Sequence, residues 1–417
     1  MTTRFTVDGR KVSLLGYGCM RWPTTVDANG KTVIDQQQVN ELVDYAIEHG
    51  VNYFDTAPVY GQGLSQEVTG IALSRHPRSS YLVATKMSNT RDYSFKAALE
   101  MYRHSFEALQ VDYIDYYLLH SVGGSRGELG SMEVLNKRFF ENGLLDFLLK
   151  EREAGRIRNL GFSFHGDQQV FDYLLSVHDK YHWDFVQIQM NYMDWNHAHT
   201  LSARNVNAVY LYGELDKREI PVVIMEPLLG GRLANLPTYA ADRLLARAPG
   251  ASPASWAFRF CGTMPRVMTA LSGMTYKEHL VDNLSTFCPL EPLTESDLEL
   301  LEEIADSYVK FPLIPCTDCK YCMPCPYGVD IPGVFGHYNK CVNEGLIEDD
   351  RQHPNYRKAR RAYLVSLDRN LAKLSQADHC IGCAQCVDAC PQRIAIPGQM
   401  RRIEQYTEGL KTNTAPL

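Results

Sequence analysis

The sequence predicts two units: a parallel (β/α)8 TIM barrel opened by an N-terminal β-hairpin, then a small α-rich unit built on iron-sulfur ligands. Three observations predict it. Over about the first 300 residues, short β-branched and aromatic runs alternate with amphipathic stretches at helical spacing, the pattern of a parallel sheet wrapped in helices. Eight such pairs can be counted, which suits a barrel whose core typically takes about 250 residues. Beyond them, eight of the chain's twelve cysteines fall in two tight runs. The first is Cys316, Cys319, Cys322 and Cys325 with Pro326, the second Cys380, Cys383, Cys386 and Cys390 with Pro391.

In chain order, Phe5 to Ser13 reads as a hairpin turning at Asp8-Gly9, placed to close the bottom of the barrel. The strands are expected at Leu14 to Gly18, Asn52 to Asp55, Leu82 to Thr85, Ile114 to Leu119, Asn159 to Phe164, Phe185 to Asn191, Val222 to Met225 and Val267 to Leu271. Between them, Gln37 to His49, Ser65 to Ser74, Ser94 to Leu109, Leu144 to Ala154 and Ser252 to Phe260 carry apolar residues at helical intervals. A doubly wound sheet is the alternative, but its first turn should hold three glycines, and Gly16-Tyr17-Gly18-Cys19-Met20-Arg21 lacks the third. The boundary falls at Phe311-Pro312-Leu313-Ile314-Pro315, dividing the chain into 1–310 and 311–417.

At 45% hydrophobic and 22% charged residues, the 417-residue chain is of ordinary globular composition. Its formal charge of −7 argues against a nucleic-acid surface, and the basic stretch Arg357-Lys358-Ala359-Arg360-Arg361 reads as a solvated helix face. The N-terminus has no apolar h-region and no stretch is long enough to span a membrane, so a cytoplasmic location with reduced thiols is expected. That sets disulfides aside. An all-cysteine zinc site needs two Cys-x2-Cys pairs, which eight cysteines over-supply. Two [4Fe-4S] clusters fit better: three thiolates two residues apart serve one cluster, and the fourth, before proline, serves the other. Cys316, Cys319, Cys322 and Cys390 then hold one cluster, and Cys380, Cys383, Cys386 and Cys325 the second. Cys19, Cys261, Cys288 and Cys341 read as packing residues.

Barrel chemistry sits at the carboxyl ends of the strands, so the polar residue closing each apolar run is the one to inspect. Asp55 ends strand two, Tyr60 follows in the next loop, Lys86 ends strand three and His120 ends strand four. Together they form a proton-transfer set. A free tyrosine, with a pKa of about 10, is a weak acid at neutral pH, and a lysine ammonium beside it is expected to lower that value. Asp55 would hold Lys86 charged, and His120 would position a carbonyl oxygen beside the Tyr60 hydroxyl. Taken singly, these residues are an ordinary helix cap, loop aromatic and core histidine; at consecutive strand ends that reading is hard to sustain.

Phe54-Asp55-Thr56-Ala57-x-x-Tyr60-Gly61, then Thr85-Lys86, then Leu119-His120, in barrel order, resemble the aldo-keto reductases from Leu14 to Asn283. The resemblance implies hydride transfer between a nicotinamide and a carbonyl carbon, with Tyr60 protonating the oxygen. It also implies a cofactor cradle: Gly18, Cys19 and Met20 after strand one, Ser163 and Gln187 on the carboxamide, Leu228 and Gly230 over the pyrophosphate, Asp282 and Asn283 at the adenine. Three departures mark it. Phe164 replaces the usual asparagine beside Ser163, Met225 the stacking tyrosine, and the usual basic pair near Gly273 and His279 is reduced to Lys277. NAD versus NADP is left open.

The tail resembles bacterial dicluster ferredoxins, and the whole chain the iron-sulfur-bearing branch of the aldo-keto reductases. Hydride moves two electrons and each cluster one, so coupling them needs a splitter such as a flavin. A flavin is possible, but no flavin motif is present; a ferredoxin or flavoprotein is then the implied electron partner. The expected substrate is a carbonyl or alcohol of a small polar metabolite, a sugar among the candidates. Its loops would be Arg21-Trp22-Pro23, Ser121 to Gly143 and Met193 to His197, with His165 facing the mouth. The competing reading is a redox-sensing nicotinamide-binding protein whose clusters are structural or serve a partner protein.

Overall fold

The computed structural model describes residues 1–6, 9–89, 91–123, 132–201, 205–314, 316, 318, 320, 322–387, 389–390 and 394–412. They form two compact units, Met1–Asn235 with Ala251–Ala305, and Leu236–Gly250 with Asp306–Leu417. The second unit thus takes in the helix Thr238–Arg247, although it lies within the barrel's stretch of sequence.

In the first unit eight parallel strands close on themselves: β1 (Leu15–Gly18), β2 (Tyr53–Asp55), β3 (Leu82–Met87), β4 (Ile114–Val122), β5 (Ile157–Phe164), β6 (Phe185–Gln189), β7 (Val222–Met225) and β8 (Val267–Ser272). Each pairs with the next and β8 returns to β1, which discards the open doubly wound sheet. Every residue of β3 and β8 is buried, as expected of parallel strands covered on both faces. Asp35, Ser94, Asp167 and Ser252 cap helices by accepting from the N–H groups of Gln38, Ala97, Gln169 and Ser255. In β5, Gly161 is required by a close approach, since a Cβ there would lie 2.2 Å from the Phe185 carbonyl oxygen of β6.

Thr3–Phe5 and Lys11–Ser13 pair antiparallel as the expected hairpin; its turn residues Val7 and Asp8 lie outside the described residues. Arg10, just before the second strand, donates to the fully buried Asp115 at the start of β4, which Arg78 and Arg158 also reach. A second hairpin, Thr24–Val26 with Thr32–Ile34, follows β1 without having been foreseen. Two of the segments expected to carry substrate loops hold side chains that also pack internally. Trp22 is buried and stacks on Tyr17 at 4.9 Å, while Met193 to His197 belongs to the helix Tyr192–Leu201, whose Trp195 packs edge-on against Phe260. Of the third, residues 124–131 lie outside the described residues.

The second unit packs the helices Ile331–Asn343, Tyr356–Asn370 and Ile396–Thr412 around Val334, Phe335, Tyr338, Tyr363, Leu367, Met400 and Ile403. Among the described residues no helix is long and apolar enough to cross a membrane.

Candidate active site and cluster ligands

The ends of β2, β3 and β4 bring four of the expected residues together. Lys86 Nζ donates to Asp55 Oδ1 and, at 2.9 Å, to the Thr56 carbonyl; both side chains are almost wholly buried. The other Asp55 oxygen accepts from Gln187 Nε2 at 3.2 Å. Above this pair, the Lys86 ammonium lies 5.0 Å from the centre of the Tyr60 ring, and the His120 ring meets Tyr60 edge-on at 5.9 Å. Tyr60 reaches the group because Gly61 and Gln62 turn at positive φ directly after it.

Burial and charge pull in opposite directions here. Burial raises the Asp55 carboxyl against the pull of Lys86 and Gln187, and it works against the Lys86 ammonium, which Asp55 and Tyr60 nevertheless hold above its usual value. For Tyr60 the expectation of a lowered pKa is corrected. Burial outweighs the Lys86 ammonium and pushes the phenol up, so it stays protonated at neutral pH. Burial also holds the His120 imidazole well below its usual range, with Lys86, His165 and Arg138 adding to the effect, and drives His165 to about 4. Both rings are neutral at pH 7.

Two further residues govern His120. Ser88, just past the end of β3 and two residues after Lys86, pairs its hydroxyl with His120 Nδ1. Arg138 donates to the His120 carbonyl at 2.8 Å. Ser88 was legible as the residue two beyond Lys86; nothing in the sequence marks Arg138.

The expected cofactor residues divide. Ser163 is buried at the end of β5 and its Oγ accepts from the Ser121 N–H at 2.8 Å, and Gln187 lies inside the barrel on Asp55. After β7, Glu226, Leu229, Gly230 and Gly231 all take positive φ, winding the segment that contains Leu228 into a tight turn in which the Leu229 and Gly231 N–H groups donate to the Glu226 and Leu228 carbonyls at 2.9 Å. Gly18 sits against the end of β8, where a Cβ would meet the Ser272 carbonyl at 3.4 Å, and Met20 is exposed. Others are spent internally. Cys19 is fully buried and its N–H donates to the Asp55 carbonyl; Asp282 accepts from Ser252; Asn283 donates to Ser272 Oγ at 2.9 Å. Lys277 lies over the Tyr45 ring, its ammonium 4.6 Å from the centre.

In the second unit, Cys316, Cys322, Cys325, Cys380, Cys386 and Cys390 are partly buried at the margin of the helical core, and Cys383 is exposed. Cys319, Pro315 and Pro391 lie outside the described residues. Burial raises the Cys386 thiol, with Cys380, Cys322 and Cys383 adding to the effect. Both runs share a backbone signature. Asp318 and Lys320 flank the second cysteine of the first run, and Gly382 and Ala384 that of the second; all four have positive φ. Left-handed turns of this kind reverse the chain tightly on either side of each second cysteine.

The family model for the aldo/keto reductase family matches residues 14–306, and that for a 4Fe-4S dicluster domain matches residues 315–395. An L-galactose dehydrogenase of Arabidopsis thaliana is 29% identical over 160 residues, 37% of this chain, which spans 46% of that protein's length. Among solved structures, an aldo/keto reductase from Klebsiella pneumoniae in complex with NADPH aligns with a TM-score of 0.55 at 24% identity, over 73% of this chain and 96% of that one. The holo form of an aldo-keto reductase from Bacillus halodurans gives 0.56 at 21% identity, over 73% and 96%.

Proposed function

Because the chain belongs to the aldo/keto reductase family, we propose that its barrel transfers hydride between a nicotinamide cofactor and the carbonyl or alcohol carbon of a small polar substrate. We propose further that the eight cysteines hold two [4Fe-4S] clusters exchanging single electrons with a ferredoxin or flavoprotein. The observation that carries the first reading is the convergence of Asp55, Tyr60, Lys86 and His120 at consecutive strand ends.

When bound, the nicotinamide supplies or accepts the hydride. The chain's own residues handle the proton. Tyr60, kept protonated by burial, donates to the developing alkoxide, and the Lys86 ammonium beside it stabilises the negative charge left on the phenolic oxygen. Asp55 fixes Lys86 in place. His120 is neutral and its Nδ1 pairs with the Ser88 hydroxyl; in the tautomer that serves this reaction Ser88 donates to Nδ1 and the ring presents Nε2–H to the substrate oxygen. Ser163 and the turn through Leu228 and Gly230 are the groups best suited to hold the carboxamide and pyrophosphate. The sugar named in the Arabidopsis relative supports a hydroxylated substrate.

The test is Tyr60→Phe. NADPH-dependent reduction of D-glyceraldehyde is expected to fall by at least about 100-fold with NADPH affinity retained, because only the proton donor is removed. Undiminished reduction would sink the reading.

A further inference from the structure

We propose that Arg138 is a positioning residue for this reaction: its guanidinium fixes the bulged end of β4 so that His120 faces Tyr60. The proposal rests on the roles just assigned to those two residues. Strand β4 leaves register with β5 between Leu119 and Val122, and Ser121 takes φ +53°, a left-handed conformation that costs a residue with a Cβ about 1–2 kcal/mol. A bulge also frees backbone groups that a buried site cannot leave unpaired.

Side chains take up three of them. The Ser121 N–H donates to Ser163 Oγ at 2.8 Å; Arg138 Nη2 donates to the His120 carbonyl at 2.8 Å, and Nη1 reaches the Ser121 carbonyl at 3.4 Å. Arg138 is 1% exposed and has no carboxylate partner among the described residues. Burying a guanidinium is costly even where it is hydrogen-bonded, and an apolar side chain would fill the same space without that cost, so mere packing does not account for it. Arg138 is itself pinned. It sits in a π-helical turn, Asn136–Phe140, and its carbonyl accepts from Asn89 Nδ2 at 3.0 Å and Asn142 Nδ2 at 2.9 Å.

Asn89 follows Ser88 at the end of β3, and Ser88 holds the His120 ring. Arg138 therefore holds the end of β4 with its side chain and the Asn89 segment after β3 with its carbonyl, and Ser121 joins that end of β4 to Ser163 of β5. The charged and titratable groups facing His120 are Lys86 from β3, Tyr60 from the loop after β2, His165 from the end of β5 and Arg138 itself. Lys86, His165 and Arg138 all favour a neutral ring.

The experiment compares Arg138→Met and Arg138→Lys in the cluster-loaded protein. Met is expected to lower kcat for D-glyceraldehyde by roughly 100-fold, since a displacement of about 1 Å at a reacting group has that effect, while KM and NADPH affinity move less than about threefold. Lys restores one of the two carbonyl bonds and should recover part of the loss; if Met does not fold, Lys alone still reads out a partial loss. Independently of turnover, 15N resonances of the His120 ring should report a single neutral tautomer in the parent protein and mixed tautomers in the Met variant. An unchanged kcat with an unchanged His120 signal overturns the proposal, as does a loss of NADPH affinity as large as the loss of kcat. If Tyr60→Phe stays fully active while the His120 signal still responds to Arg138, positioning stands and the assigned reaction falls.

Discussion

Tyr60 keeps its proton because burial acts on it more strongly than the Lys86 ammonium does. Reduction uses the phenol and alcohol oxidation the phenolate, so the two directions should respond to pH with opposite sign. With the phenol raised above its usual value of about 10, kcat for aldehyde reduction should stay level from about pH 6 to about pH 9. Alcohol oxidation should climb over the same range. His120, held well below the usual imidazole value, should add no acid limb within it. Stopped-flow measurement of the hydride step in both directions checks this, and a fall in reduction centred near pH 7 would contradict it. At this scale the sequence supplied the reacting residues, since strand-end position and residue type are both linear properties. It did not supply the sign of the Tyr60 shift. That depends on how deeply the loop buries the ring, a quantity set by Gly61, Gln62 and the neighbouring strands rather than by any spacing.

The eight strands were legible because a parallel strand covered on both faces is mostly apolar, and β3, β4 and β8 each keep apolar or aromatic residues at most positions. The hairpin Thr24–Val26 with Thr32–Ile34 carried its own signal in Asn29-Gly30, overlooked beside the stronger barrel pattern. The grouping of Thr238–Arg247 with the second unit had none, because an amphipathic stretch reveals that a helix has a buried face but not which unit buries it. The N-terminal hairpin is a different matter, since its reason can be tested. Asp115, fully buried, accepts from Arg10, Arg78 and Arg158 and from the Val83 N–H, linking hairpin, β3, β4 and β5 at the end of the barrel away from the site. Asp115→Asn removes the carboxylate that three guanidinium groups share. A loss of about 3 kcal/mol is expected, seen as a drop of several degrees in the melting transition of the barrel. Activity at low temperature should persist, and a melting point within about 1 °C of the parent would mean that the cluster is not what fastens the hairpin.

Taken as a whole, the proposed function joins two kinds of electron chemistry in one chain. A reduced nicotinamide gives up electrons as a pair, whereas a [4Fe-4S] centre takes one, and the first electron can be passed on singly only through a carrier stable in an odd-electron state. Neither unit has a sequence motif for such a carrier. The expectation that follows is separation: cluster-loaded protein should contain about eight irons, and NADPH alone should leave its broad iron-sulfur absorption in place. Dithionite, a one-electron donor, should bleach it. A flavoprotein added with NADPH should bleach it too, because the flavin supplies the missing odd-electron state. The same solution should reduce D-glyceraldehyde with NADPH whether the clusters are oxidised or reduced, since Tyr60 and its neighbours act on a proton and not on single electrons. An anaerobic spectrum recorded through these additions tests each step in one sample. Complete bleaching by NADPH alone, with no flavin in the trace, would show that the two chemistries meet inside this chain, and a search for the residue or cofactor that splits the pair would then replace the partner flavoprotein in the scheme.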